Sequence, residues 1–260
     1  MNHFHYLRLL IYIVLYPHFL YFVLQIDYIY HLYNNAASGR NLTGYWRDPE
    51  FKAFFFIQFT LIAVCFLVLV NFEYYNSPEI AFDQAMFQAV SISTTAGFAT
   101  TDFAAWPVFL PILLIFASFI GGCAGSTGGG LKVIRIFLLF LQGKREINRL
   151  IHPKAVYSVK LGERAMPDRV VEAVWGFFAA YAIVFVIIML ALLGTGMDDI
   201  TAFTATAATL NNLGPGLGEV AGTYASVSDS GKWILVLAML FGRLEVFSLL
   251  VLFSPTFWRS

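Results

Sequence analysis

Ala85-Met-Phe-Gln-Ala-Val-Ser-Ile-Ser-Thr-Thr-Ala-Gly-Phe98 and Ala202-Phe-Thr-Ala-Thr-Ala-Ala-Thr-Leu-Asn-Asn-Leu-Gly-Pro215 are two versions of one pattern, with Gly97 falling on Gly214 at an offset of 117 residues. Ser77-Pro78 supplies a helix start, a serine cap followed by proline in the first turn, and the helix is expected to run to about Ser93 before Gly97 ends it. Sixteen residues at about 1.5 Å each reach roughly 24 Å, short of the roughly 30 Å hydrocarbon core of a bilayer. A segment of that length enters and leaves on the same face. In the second copy Asp198 or Asp199 caps the start, and Asn211-Asn212-Leu213-Gly214-Pro215-Gly216 stops the helix.

Apolar stretches long enough to cross a bilayer flank both copies. Residues 51–70 and 170–193 precede them, and residues 107 onward and 233–253 follow. The unit is therefore helix, half-helix, loop, helix, used twice. The whole chain is 59% hydrophobic and 12% charged, against roughly 25% charged in an ordinary soluble domain. The fold class expected is an all-α polytopic membrane protein of two helix/pore-loop/helix repeats.

Charge placement sets the topology. All 16 Lys and Arg avoid residues 53–131 and 170–231, and nine of them sit in 132–169. By the positive-inside rule that connector is cytoplasmic, and so are both ends of the chain. The two tracts without basic residues still hold acids, among them Glu79, Asp102, Asp198 and Glu219, an asymmetry that favours cations at an outer mouth.

Residues 107–141 carry a third irregularity. An apolar arm ends at Gly121-Gly-Cys-Ala-Gly-Ser-Thr-Gly-Gly-Gly130, and a second arm resumes at 131–141. Each glycine costs a helix about 1 kcal/mol against alanine, so six of them in ten residues predict an unwound segment at membrane depth. Such backbone survives there only when buried in protein or lining a wet cavity; the competing reading is a passive kink. Lys132, closing the segment, reads as an interface anchor.

A cation that leaves water needs replacement oxygens, and short glycine-containing loops supply them as backbone carbonyls. Thr94-Thr95-Ala96-Gly97-Phe98 has the parts: the negative end of a helix dipole, hydroxyl and carbonyl oxygens, and a glycine that permits positive φ. Arg243 lies within an apolar helix, where an arginine costs a few kcal/mol unless it faces protein or water; pairing with Glu245 or snorkelling is the plainer alternative. Enzyme readings fail on spacing. Lys132 is one residue out of register for a phosphate-binding loop, and Ala124 stands where a nucleophile elbow needs glycine. The histidines (3, 5, 18, 31, 152) lie outside the repeats, no metal-ligand or catalytic constellation remains, and no cofactor is expected. Cys65 and Cys123 read as packing residues in apolar segments.

Ser91-Ile-Ser-Thr-Thr-Ala-Gly-Phe98, Gly121 to Lys132, Thr209-Leu-Asn-Asn-Leu-Gly-Pro-Gly-Leu-Gly218 and Leu240-Phe-Gly-Arg-Leu-Glu245 together resemble the C-terminal half of a member of the Trk/Ktr/HKT superfamily of potassium transporters. The resemblance covers about residues 36–260 and implies a bacterial inner-membrane, pore-forming subunit of a potassium uptake system, not an enzyme. It implies that Thr94, Thr95, Ala96, Gly97 and Phe98, with Asn211, Asn212, Leu213, Gly214 and Pro215, are two of four selectivity-filter strands, with K+ at Thr95, Ala96, Asn212 and Leu213. It implies further that Gly121, Gly122, Cys123, Ala124, Gly125, Ser126, Thr127, Gly128, Gly129 and Gly130 form a gating loop beneath the filter, with Arg243 as a pore arginine. A soluble nucleotide-binding regulatory subunit (TrkA-like) is the implied cytoplasmic partner.

The domains expected are an aromatic-rich leader at 1–35, repeat three at 36–144, a basic connector at 145–168 and repeat four at 169–260. The leader does not resemble the family segment that should precede it, as a frameshifted or internally started frame would produce. Two strands cannot surround an ion, so the chain is expected to be a half-pore completed by the missing repeats or a second copy. The alternatives are a non-conducting fragment or assembly subunit, and an unrelated secondary transporter with broken helices.

Overall fold

The computed structural model describes residues 48–244, without 108, 125, 127, 156 and 163. The expected leader, the far half of the 233–253 span, Glu245 and the chain's end lie outside the described residues.

Helix α1, Pro49–Asn71, starts where Asp48 accepts a hydrogen bond from the Glu50 amide at 2.8 Å and Pro49 occupies the first turn. Helix α2, Pro78–Ser93, is capped by Ser77, whose hydroxyl accepts from the Ile80 amide. Both bounds agree with the serine-proline reading. A short 3-10 turn, Phe103–Ala105, leads to α3, Leu110–Ile120, and α4, Val133–Ile151, follows the glycine-rich segment. Helix α5, Asp168–Leu193, α6, Asp199–Leu210, and α7, Asp229 onward and described to Arg243, repeat the order. Asp198 caps α6: the hydroxyl and amide of Thr201 hydrogen-bond its carboxyl and hold it below the usual carboxylate range.

Two elements differ from expectation. Helix α4 runs ten residues past the end of the apolar arm at 141, because its polar part has helical spacing of its own. Gln142 donates to Glu146 at 2.8 Å and Glu146 pairs with Arg149 at 3.3 Å, one turn on each side. Between α4 and α5 lies an antiparallel hairpin, β1 (Lys160–Leu161) and β2 (Arg164–Ala165), turned at Gly162 with φ +61°. It is the departure from an all-helical chain among the described residues. Arg145 closes the connector onto α5 by an ion pair with Asp168 at 2.6 Å.

Polarity is distributed inside out. Helices α1 and α5 are long and apolar enough to cross a membrane, and they expose Phe56, Phe59, Leu67, Ile183, Ile187 and Leu190. The half-helices carry the hydroxyls and are enclosed: Thr201, Thr204, Thr206 and Thr209 of α6 are buried. Thr204, Thr206 and Thr209 donate to the carbonyl four residues back at 2.7–2.8 Å, which satisfies a hydroxyl that burial would otherwise leave costly. An apolar exterior over buried hydroxyls that are all hydrogen-bonded is compatible with a hydrocarbon solvent.

Two apolar cores lie mainly one in each repeat, with Ala207, Leu213 and Leu217 of the second reaching into the first. Leu61, Cys65, Leu69, Ala85, Leu110 and Leu114 join α1, α2 and α3, while Phe177, Leu192, Ala205, Leu210, Leu235 and Ala238 join α5, α6 and α7. An aromatic seam links the two. Phe119 of α3 lies 5.6 Å from Phe185 of α5, and Phe203 of α6 lies 5.7 Å from Phe116 and 5.4 Å from Phe185 between ring centroids. That seam packs α3 against α5 and α6, and the loops that follow the two half-helices meet at Gly97 and Leu213.

Candidate functional site

The loops that follow α2 and α6 have the same backbone. Thr95 and Gly97 have φ of +61° and +77°, and Asn212 and Gly214, at the same offset, have +53° and +104°. In the first loop the amides of Ala96 and Gly97 both donate to the Ser91 carbonyl, at 2.8 and 3.3 Å; in the second, Leu213 and Gly214 both donate to Ala208, at 2.7 and 3.3 Å. Positive φ at alternate residues keeps these segments from being plain strands, in which successive groups point to opposite sides, and turns neighbouring carbonyls toward a common side.

Thr95 is the costly position. A β-branched residue in the left-handed region is a true outlier, and here its hydroxyl accepts a hydrogen bond from the buried Gly129 amide at 2.8 Å. The loops also touch each other. A Cβ on Gly97 would lie 2.0 Å from the Leu213 carbonyl oxygen, so glycine is required there by space as well as by φ; at Gly214 the space is open and φ alone demands it. Thr94 is buried with its hydroxyl on the Val90 carbonyl, whereas Phe98 is exposed and its carbonyl accepts from Ser91 at 2.6 Å. Asn211 is buried and cross-braced: Tyr181 of α5 donates to its Oδ1 at 2.5 Å, and its Nδ2 donates to Ser118 of α3 at 2.9 Å. Asn212 reaches the Met239 carbonyl of α7 at 3.3 Å. Pro215 follows Gly214, its ring 3.6 Å from where a Cβ on Gly97 would stand.

The glycine-rich segment is unwound and folded into a closed excursion. Its ends are pinned where Leu131 donates to Phe119 at 2.9 Å and Val133 to Gly122 at 3.0 Å. Gly121 and Gly130 meet there in positive φ. Its returning limb presses on both loops, because Gly129 donates to Thr95 while a Cβ on it would stand 1.7 Å from the Asn211 carbonyl oxygen. Cys123 is buried among Phe54 and Val133. Gly125 and Thr127 lie outside the described residues.

Lys132 does not snorkel to an interface. Its Nζ turns into the excursion and donates to the Ser126 carbonyl at 2.8 Å, the Ser126 hydroxyl at 3.0 Å and the Gly128 carbonyl. Glu50, which nothing in the sequence singled out, closes the other side: its carboxylate accepts from the Ala124 amide at 2.6 Å. A glutamate in the first turn of a helix reads as an ordinary dipole complement, which hid this use. Behind the excursion lies a cavity of about 160 Å³ whose lining includes Gly128, Lys132, Arg135, Phe177 and Arg243. Arg135 lies over the Phe177 ring at 4.1 Å. The structure thus brings both loops, the excursion and Arg243 into one neighbourhood.

The family model TrkH, described as a cation transport protein, matches residues 10–260, so its match reaches back into the stretch read as a leader. The chain is 64% identical over 234 residues to the Trk system potassium uptake protein TrkH of Vibrio parahaemolyticus, covering 90% of this chain and 48% of that protein. It is 62% identical over 231 residues to the TrkH of Escherichia coli K12 (89% and 48% covered) and 39% identical over 225 residues to the E. coli potassium uptake protein TrkG (86% and 46%). The crystal structure of the V. parahaemolyticus potassium transporter TrkH superimposes with a TM-score of 0.83 at 64% identity, over 90% of this chain and 50% of that one. The chain spans about half the length of the curated relatives it matches.

Removing the ammonium while keeping the stem isolates the brace. Lys132→Met should leave the helices in place and speed hydrogen exchange at the Gly128 and Gly129 amides by roughly tenfold or more, the signature of a loop released to open locally. Mass-spectrometric exchange in detergent reads it, and unchanged protection would mean that Glu50 and the pinned ends hold the excursion alone.

Proposed function

The chain belongs to the TrkH family of cation transport proteins, and from that membership we propose that it contributes two of the four filter strands of a potassium uptake pore in the bacterial inner membrane. The observation that carries the reading is the shared backbone of the two loops, positive φ at Thr95 and Gly97 matched at Asn212 and Gly214. Residues 94–98 and 211–215 are the strands in this reading. Carbonyl oxygens at Thr95, Ala96, Asn212 and Leu213 replace part of the water around K+, and the carboxyl ends of α2 and α6 add negative potential behind them. The surrounding geometry supports it, since half-helices that end inside the protein need enclosure by longer ones.

The excursion at 121–130 is the gate in this reading. It lies across the path below both strands and is held by hydrogen bonds that can be exchanged, with Cys123 packed against Phe54 and Val133. Arg243, with Lys132 and Arg135 on the same cavity, places positive charge below the strands, a barrier that a passing cation must meet. The basic connector 132–169 faces the cytoplasm and supplies the surface for a soluble nucleotide-binding regulatory subunit of the TrkA type.

The filter claim is tested in a four-repeat protein made by joining the preceding half of the V. parahaemolyticus relative to this chain. Left-handed backbone costs a residue with a Cβ about 1–2 kcal/mol, so Gly214→Ser should lower the K+/Na+ permeability ratio about fivefold to thirtyfold. Gly97→Ser should lower it further, because its Cβ also meets the Leu213 carbonyl. Reversal potentials in mixed salts give the ratio, and two unchanged ratios would remove these glycines from the filter.

Removing three residues from 121–130 in the same protein should raise ion flux and weaken its dependence on the regulatory subunit. Wild-type flux with normal insertion would identify a passive kink instead.

Expressed alone, this chain should insert with 132–169 cytoplasmic and leave an uptake-deficient bacterium unable to grow on limiting potassium, because two strands leave half the coordination shell unfilled. Growth would show that two copies complete a ring. A non-conducting assembly role, the reading favoured by the half-length match alone, requires instead that the joined four-repeat protein also fail.

A further inference from the structure

The two strands share a backbone but are not held alike. In the first repeat the returning chain is tied to its own half-helix from within: Ser91 donates to the Phe98 carbonyl at 2.6 Å and Gln88 to Thr101 at 3.1 Å. In the second repeat Ala208 stands in the register of Ser91, and alanine has no hydroxyl to give. Thr204 and Thr201 of α6 hold the second returning chain farther along, at Leu217 and at the Glu219 amide, and the Gly214 carbonyl is reached from another segment. Tyr224, ten residues past the loop on the segment that leads to α7, turns back and donates its phenol hydrogen to the Gly214 carbonyl at 2.6 Å. No described side chain donates to the Gly97 carbonyl.

We propose that Tyr224 is a positioning residue for ion selectivity, fixing the Gly214 peptide plane from the segment that leads to α7. The inference rests on the filter reading of residues 211–215. Three features make Tyr224 fit the task. Gly214 has φ +104° and nothing within 4 Å of where a Cβ would stand, so no contact on that side holds the peptide. The Tyr224 ring packs against the core of α5, α6 and α7, which anchors the hydroxyl to the rigid part of the repeat. Burial raises the phenol to about 12, so it stays protonated, and hence a donor, across the range in which cells live.

The consequence is a division of labour between strands. A carbonyl that is occupied by a phenol is directed to one side and is withdrawn from service as a freely turning ion ligand. The Gly97 carbonyl has no such restraint from a side chain. Geometry at the second strand then depends on the outer segment 221–228, and changes there should reach the filter.

Tyr224→Phe keeps the ring and its packing and removes only the donor. In the four-repeat protein, with Gly214→Ser in parallel, Tyr224→Phe is expected to lower the K+/Na+ permeability ratio about threefold to tenfold, the factor that one lost hydrogen bond carries, with membrane abundance and insertion unchanged. A ratio unchanged by Tyr224→Phe but lowered by Gly214→Ser overturns the proposal and leaves the filter reading standing. Reduced abundance at an unchanged ratio also overturns it, since that is the mark of a structural role alone. Unchanged ratios in both variants sink the filter reading, and this inference with it.

Discussion

Backbone groups placed away from water must find partners inside the protein, and two helices whose carboxyl ends are buried make that demand hardest to meet. The last carbonyls of α2 and α6 are satisfied by tight returns: Ser91 and Ala208 each accept two amides from the residues that follow. Such a return requires left-handed residues at its second and fourth positions, which fixes Thr95, Gly97, Asn212 and Gly214 in positive φ. The remaining construction follows from enclosing those ends. Threonines are tolerated buried on α6 because each hydroxyl finds a partner, on the helix's own carbonyls for Thr204, Thr206 and Thr209 and on Asp198 for Thr201, while apolar side chains line the outside of α1 and α5.

Repetition of a backbone does not require repetition of its supports. Gln58 of α1 pairs with Ser93 at the end of α2, at 2.8 Å, whereas Tyr181 of α5 and Ser118 of α3 pair with Asn211 at the end of α6. The first set lies within one repeat and the second joins two. Ser118 comes from the broken helix, so the end of the second half-helix is referenced to the element that carries the glycine-rich excursion. Once the duplicated units sat side by side, each site could recruit whichever polar group lay nearest, so only the return itself had to be kept.

The spans, the half-helices and the glycine break were legible because each rests on a local rule. Ser77-Pro78 caps a helix wherever it occurs, and six glycines in ten residues unwind one in any surroundings. The end of α4 was missed because apolarity stopped at 141 while side-chain pairs one turn apart carried the helix to Ile151. The hairpin at β1 and β2 was missed because two residues a strand leave no periodicity to read. Side-chain contacts to loop backbone were illegible in principle: Glu50 to Ala124, Lys132 to Gly128 and Tyr224 to Gly214 each join residues whose individual contexts call for something simpler. Gly97 and Gly214 were found by register, but the steric reason that separates them, the Leu213 carbonyl against Gly97, belongs to the packing of the loops.

Gly129 concentrates the remaining consequence. One residue donates its amide to the strained Thr95 and presses its Cα against the Asn211 carbonyl, so the excursion cannot move without altering a contact to each strand. The hydrogen bond to Thr95 helps offset the cost of holding a β-branched residue in the left-handed region. In the proposed pore, withdrawing the excursion would then release strain in the first strand at the moment the path opens. Gate and filter would be two ends of one hydrogen-bonded unit, with Lys132 and Glu50 setting how firmly that unit is held. In that pore the excursion would yield by exchanging the hydrogen bonds it makes with Glu50, Thr95 and Lys132 and by drawing Cys123 from beside Phe54 and Val133, a local opening that leaves the buried faces of α2 and α6 in place.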